Sequence, residues 1–199
     1  AVVSAVSGSP TFDVNSPNGR LMVLTPGTRS VSLPTRTFVT GTLDLRAGDT
    51  TFTGPMSLFS GTVLVSGGSL SLGELTVTGT GSVTVSAAGA LTVAGYTGSG
   101  TVVADGPVTL TTLARPNNAT FRGTGTVTAQ GGVATTGGVV NTLADSVTLL
   151  MQGTSTVATN GKWSLTGGSK LVVDAGGTLN VSSAGAGLSA SFTGCLLYT

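Results

Sequence analysis

One phrase recurs through this chain and limits what it can fold into: a small residue, then apolar residues two and four places later. Gly41 opens GTLDLRAGD, Gly61 GTVLVSGGS, Gly81 GSVTVSAAG, Gly100 GTVVADGPV, Gly125 GTVTAQGGV, Asp145 DSVTLLMQG and Ser169 SKLVVDAGG. Successive openings lie 20, 20, 19, 25, 20 and 24 residues apart, a period near 20 with insertions before residue 125 and before residue 169. Two places on stand Leu43, Val63, Val83, Val102, Val127, Val147 and Leu171. Four places on stand Leu45, Val65, Val85, Ala104, Ala129, Leu149 and Val173. Both columns are wholly apolar. Successive side chains of a strand point to opposite sides, so a two-residue spacing puts both columns on one face.

A single phrase cannot bury its apolar side. Stacked copies can, each strand pairing in parallel with its equivalent one turn on. A second strand follows in most phrases, at Leu70 and Leu72, Leu91 and Val93, Val108 and Leu110, and Leu179 and Val181. A glycine or alanine pair between the two strands lets the chain bend. The expected fold is therefore all-β: a parallel β-helix, or β-solenoid, with coils of about 20 residues and two or three short strands per turn. At an interstrand distance of about 4.8 Å, seven coils make a rod roughly 34 Å long. A β-sandwich accounts for the alternation but not for the identity of the columns.

Residues 1–40 read differently. Pro10, Pro17, Pro26 and Pro34, four of the seven prolines, fall here, and proline lacks the donor that a central strand needs. The apolar pieces LMVL and TFVT suit an irregular N-terminal cap, or a linker. Repeats then occupy 41–185, and 186–199 form a C-terminal cap or continue into a longer chain. The segment TLARPNNATFRG, residues 112–123, is expected to project as a loop. The chain begins at Ala1 without a positively charged leader, which reads as a processed protein or a piece of a longer one.

Charge is scarce. Charged residues are 8% of the chain, against about 25% in ordinary soluble domains. The eight basic residues are scattered singly and offer no stripe to a phosphate backbone, so nucleic acid is not an expected partner. No apolar run approaches the roughly 18 residues of a membrane helix. The sequence has no His, which removes imidazole metal sites and His-based triads. Calcium-binding nonapeptides, EF-hand loops and the phosphate loop are missing too; in NGKWS, Trp163 follows Lys162. No metal or cofactor is expected. Cys195 has no partner for an internal disulfide and is expected as a small buried residue.

Parallel β-helices also serve as polysaccharide hydrolases and lyases. Glycoside hydrolysis uses two carboxylates about 5 to 9.5 Å apart. Asp105 and Asp174 share the column five places after the opening residue, but three coils separate them, roughly 14 Å. Asp44 and Asp49 belong to the first coil, beside the cap. The chain is not expected to be an enzyme. A flat Thr-x-Thr array, as ice binding needs, is broken at most phrases. Trp163 and Tyr96 are expected to cover the core rather than to stack on a sugar.

The Gly-x-Val-x-Val-x-x-Gly-x-Leu-x-Val phrases, LVVDAGGTLNVSSAG above all, resemble the β-helical stalks of bacterial autotransporter passengers and related surface adhesins. The likeness spans 41–185 and is one of period and composition, which phage fibres and eukaryotic surface proteins share. It implies an extracellular or cell-surface place and a structural or adhesive role, and it carries over no catalytic residue. The alternatives are a phage or viral fibre or tailspike segment, and a secreted polysaccharide-active enzyme.

Assembly is the remaining expectation. Leu64, Val103 and Val172 stand at outward positions, and the tail carries Cys195, Leu196 and Leu197. With so little charge to keep such surfaces apart, the expected partners are copies of the chain, other extracellular structural proteins, and glycans. The bland alternative is that the outward apolar residues lie beneath the 112–123 loop. Two sequons, at Asn118 and Asn180, mark candidate glycosylation sites, about the number that chance would give.

Overall fold

The structure, a computed structural model, describes residues 2–3, 20–24, 26–32, 37–182, 191–193 and 195–198. Among these there is no helix, and the strands pair in parallel with their equivalents one turn away. The result is a β-solenoid of about 7 turns.

Each turn presents three faces. Face I is a ten-stranded ladder. Its central run is Thr42–Leu45, Thr62–Val65, Ser82–Val85, Thr101–Ala104, Thr120–Arg122, Val140–Ala144 and Lys162–Leu165. The long strands Asp49–Leu58, Gly68–Val77 and Gly89–Gly98 begin on face II and bend onto face III. Below them face II continues as Val108–Leu110, Thr126–Ala129, Thr148–Met151 and Lys170–Val173. Face III continues as Arg115–Pro116, Ala134–Thr135, Thr154–Val157 and Thr178–Val181. Alternation does the sorting: along Thr62–Val65, Val63 and Val65 are buried while Thr62 and Leu64 are half-buried and point outward.

The pairing corrects the alignment drawn from the sequence. Val83 pairs with Val102, but Val102 pairs next with Phe121, not with Val127. Val127 belongs to face II, where it follows Val108. Leu149 rather than Val147 comes after Val127, and Leu171 after Leu149. Anchors 41 to 100 thus mark face I and anchors 125 to 169 mark face II. The 112–123 segment is not a projecting loop. Ala114 bridges to Val133 on face III, and Thr120–Arg122 is the face I strand of the next coil. Its signal was faint because Phe121 is one apolar residue between Thr120 and Arg122. Asn118, with φ 57°, turns the corner without glycine.

The N-terminal region carries regular pieces. Arg20–Val23 pairs with Thr42–Leu45, and Thr28–Ser32 and Thr37–Val39 both pair with Asp49–Leu58. Residues 4–19 and 183–190 lie outside the described residues.

The core is one cluster running through the stack. In the shorter middle coils the inward residues shrink to Ala104, Ala114, Ala119 and Ala129, all buried. Tyr96, Phe121 and Trp163 fill the space: Phe121 packs 5.6 Å from Tyr96 and 6.3 Å from Trp163, centroid to centroid. Large residues beside small ones keep the interior at crystal-like density. Tyr96 and Trp163 do cover the core, and Trp163 does so from a strand within the wall. Gly98 occupies an inward corner where a Cβ would stand 1.8 Å from the Val77 carbonyl oxygen, so only glycine fits.

Candidate functional site on face I

Correct pairing brings together residues that the sequence separates. Thr42, Thr62, Ser82, Thr101, Thr120, Thr142 and Ser164 follow one another rung by rung on the outside of face I. Every rung of this column is a hydroxyl, and all seven are half-buried. Thr62 Oγ1 lies 3.3 Å from Ser82 Oγ. The next outward column reads Asp44, Leu64, Thr84, Val103, Arg122 and Ala144. Among the described rungs, Ser82 with Thr84 and Ser164 with Thr166 put hydroxyls at both places, and neither is a Thr-x-Thr pair, so no Thr-x-Thr array forms there.

Two depressions lie along these columns and share Thr84. The upper, of about 390 Å³, is lined by Arg20, Asp44, Arg46, Leu64, Ser66 and Ser86 among others. The lower, of about 360 Å³, is lined by Ser82, Thr84, Thr101, Val103, Thr120 and Arg122. Together they make a shallow groove along the solenoid. Arginines stand at both ends, Leu64 and Val103 in its floor, and hydroxyls along its bank.

The upper end is built on a buried carboxylate. Asp44 Oδ2 accepts from Arg20 Nη2 and, at 3.0 Å, from Arg46 Nε. The Asp44 side chain is 2% exposed, whereas the arginines are 46% and 48% exposed. Burying a lone carboxylate is costly, and two guanidiniums offset that cost. Both guanidiniums stay about half exposed at the end of the groove. Arg46 sits two residues beyond Asp44, a spacing visible in DLR. Arg20 joins only through the 22-residue step from Arg20 to Thr42, which the sequence does not announce.

Other carboxylates hold the coil. Asp49 Oδ1 accepts from Ser69 Oγ at 2.6 Å. Asp105 Oδ1 accepts from the Thr124 amide at 3.0 Å and its hydroxyl at 3.2 Å. Asp174 Oδ2 accepts from Gln152 Nε2 at 2.9 Å. Asp105 and Asp174 do not share a column: Asp105 follows a face I strand and Asp174 a face II strand. A further depression of about 570 Å³ lies on face III between Glu74 and Arg115, beside Thr97, Thr112 and Leu113.

The expected assembly residues divide between faces. Leu64 and Val103 lie in the face I groove, two rungs apart with Thr84 between them. Val172 is on face II, where it pairs with Leu150 and with Leu197. Cys195 pairs with Lys170 and Leu196 with Leu171. The shift of phase after residue 100 is the reason one apparent column is two. The 112–123 segment does not cover Leu64 or Val103; it forms the coil after Val103. Asn118 is exposed at its corner, and its Oδ1 accepts from the Val140 amide at 2.9 Å. Asn180 is exposed on face III, paired with Thr156.

Among the described residues no group of three or more His, Cys, Asp or Glu is placed to hold a metal, and no helix is long and apolar enough to cross a membrane. No family model, curated protein or solved structure matches this chain.

Proposed function

We propose that this chain is an extracellular structural or adhesive scaffold, a β-solenoid segment of a surface stalk, filament or appendage that associates with copies of itself or with other structural proteins. The observation that carries this reading is the continuity of its outer chemistry. Seven successive coils repeat a hydroxyl at one place of face I. A surface that repeats with every coil suits an extended partner or lateral packing. Asp49, Asp105 and Asp174 supply ties between coils, a structural use of carboxylates. Apolar groups at Leu64, Val103, Leu150 and Val172 interrupt the polar exterior, and charge is too sparse to oppose association. The likeness of the repeat phrases to autotransporter stalks supports the same place and role.

Sedimentation velocity over a wide concentration range tests the proposal. The expected result is concentration-dependent association of elongated particles, reduced by Leu150→Lys and Val172→Glu on face II. A compact monomer at every concentration, on a chain that also fails to retain cells or beads on a coated surface, overturns it.

A further inference from the structure

We infer that the face III depression is a binding site for a small linear zwitterion, an ω-amino acid whose ammonium meets Glu74 and whose carboxylate meets Arg115. The site goes beyond the scaffold role, whose apolar residues lie on faces I and II. Among the described residues, the strands of face III carry two charges, Glu74 and Arg115, and both line this one depression. Both side chains are exposed. Among the described residues neither has a hydrogen bond or ion pair, with the other or with a third group.

The register sets the gap between the two charges. Glu74 pairs with Gly95, and Thr97 with Arg115. They stand two rungs and two residues apart, about 12 Å from Cα to Cα. Side chains of a strand stand roughly perpendicular to the sheet. With a charge-assisted contact of about 2.8 Å at each end, about 6 Å is left between the ligand's own charges. That is the spacing of ammonium and carboxylate in extended δ-aminovalerate.

Gly95 makes the floor. In the same strand a Cβ on Gly89 or Gly98 would lie 2.3 or 1.8 Å from a backbone carbonyl oxygen. A Cβ on Gly95 would meet nothing nearer than Glu74 Cγ and Thr112 Oγ1, each at 3.6 Å, an ordinary contact. Its φ is not positive. Glycine weakens a strand, and neither backbone nor packing calls for one here. Its missing side chain leaves open space between Glu74 and Arg115. Half-buried Leu113 offers an apolar contact to the methylenes, and the hydroxyls of Thr97 and Thr112 stand beside them.

An amide chemical-shift titration of the full chain tests this, using δ-aminovalerate, with valerate and n-pentylamine as singly charged analogues. δ-Aminovalerate is expected to shift the Gly95, Thr97 and Arg115 amides, and to bind more weakly as salt rises. Glu74→Gln and Arg115→Gln should each weaken binding about tenfold, the effect of one charge-assisted contact. Gly95→Val should abolish binding while its thermal midpoint holds or rises, because a β-branched residue suits a strand. Lys170→Gln, on face II, should bind as the parent does. No shift with δ-aminovalerate, an equal response to either analogue, or an equal loss in Lys170→Gln overturns the site. Should Gly95→Val fail to fold, the two glutamine variants still decide, since both side chains lie outside the core.

Discussion

Arg46 Nε donates to Asp44 Oδ2 at 3.0 Å, and the carboxylate it meets is almost wholly buried. Arg20, from the preceding coil, donates to the same oxygen. The two cations therefore substitute for one another in part. Arg46→Ala is expected to cost about 1 kcal/mol, since Arg20 remains and Arg46 is half exposed. Removing both leaves a buried carboxylate without a cation, which costs about 3–5 kcal/mol. The double variant should thus lose more than the sum of the singles, a coupling that urea midpoints in a double-mutant cycle would read. Additive losses would mean that the two arginines act on separate groups.

Inside and outside alternate along Ser82–Val85. Val83 and Val85 are fully buried, while Thr84 is half-buried and faces the groove. Val83→Asp or Val85→Asp places an unpaired charge in the core, a loss of several kcal/mol. Thr84→Asp should shift the denaturation midpoint little. Comparable losses at Val85 and Thr84 would reverse the assignment of the two faces.

The ladder was legible because its signal is local. Leu43, Val63, Val83 and Val102 align at steps of 20, 20 and 19 residues and do pair. The third face was harder to read. On it the inward column runs Met56, Leu75, Tyr96, Ala114, Val133 and Ser155. Small and polar residues enter that column because the aromatic rings of Tyr96, Phe121 and Trp163 take up the interior volume. Ala114 and Ser155 interrupt the run of large apolar residues there, which weakens the period without removing it. The groove was half legible: Leu64 and Val103 stand out as apolar residues at outward places. Its arginines did not, since Arg20 and Arg122 join Arg46 only once the unequal coil lengths are known.

Two asparagines near one coil do opposite work. Asn141 is fully buried, and its Oδ1 accepts from the Ala119 amide at 3.0 Å. Asn141→Ala leaves that amide without an acceptor in the interior, a loss of about 1–3 kcal/mol before any cavity cost. Asn118 caps the Val140 amide at an exposed corner, with φ 57°. Glycine adopts that conformation freely and water reaches the amide, so Asn118→Gly should stay within about 0.5 kcal/mol of the parent. Urea unfolding of the pair decides it. A larger loss at Asn118 would make the corner, rather than the interior bond, the element that holds this coil.

Tyr96 gives the fold a pH limit on the alkaline side. Its side chain is 1% exposed and its hydroxyl has no hydrogen-bond partner. Burial alone pushes the phenol above its ordinary value, because the phenolate would lose hydration. The unfolded chain gives up that proton near pH 10, while the folded chain keeps it. Below about pH 10 both states are protonated and this group contributes no pH dependence. Above it the unfolded state binds fewer protons, so stability falls as pH rises toward the folded value. Tyr96→Phe removes both the titration and an unsatisfied buried hydroxyl. At neutral pH it should be neutral or slightly stabilising. Its urea midpoint should also decline less than that of the parent above about pH 10. Parallel alkaline declines in parent and variant would assign the loss to other groups and show that the Tyr96 hydroxyl reaches solvent.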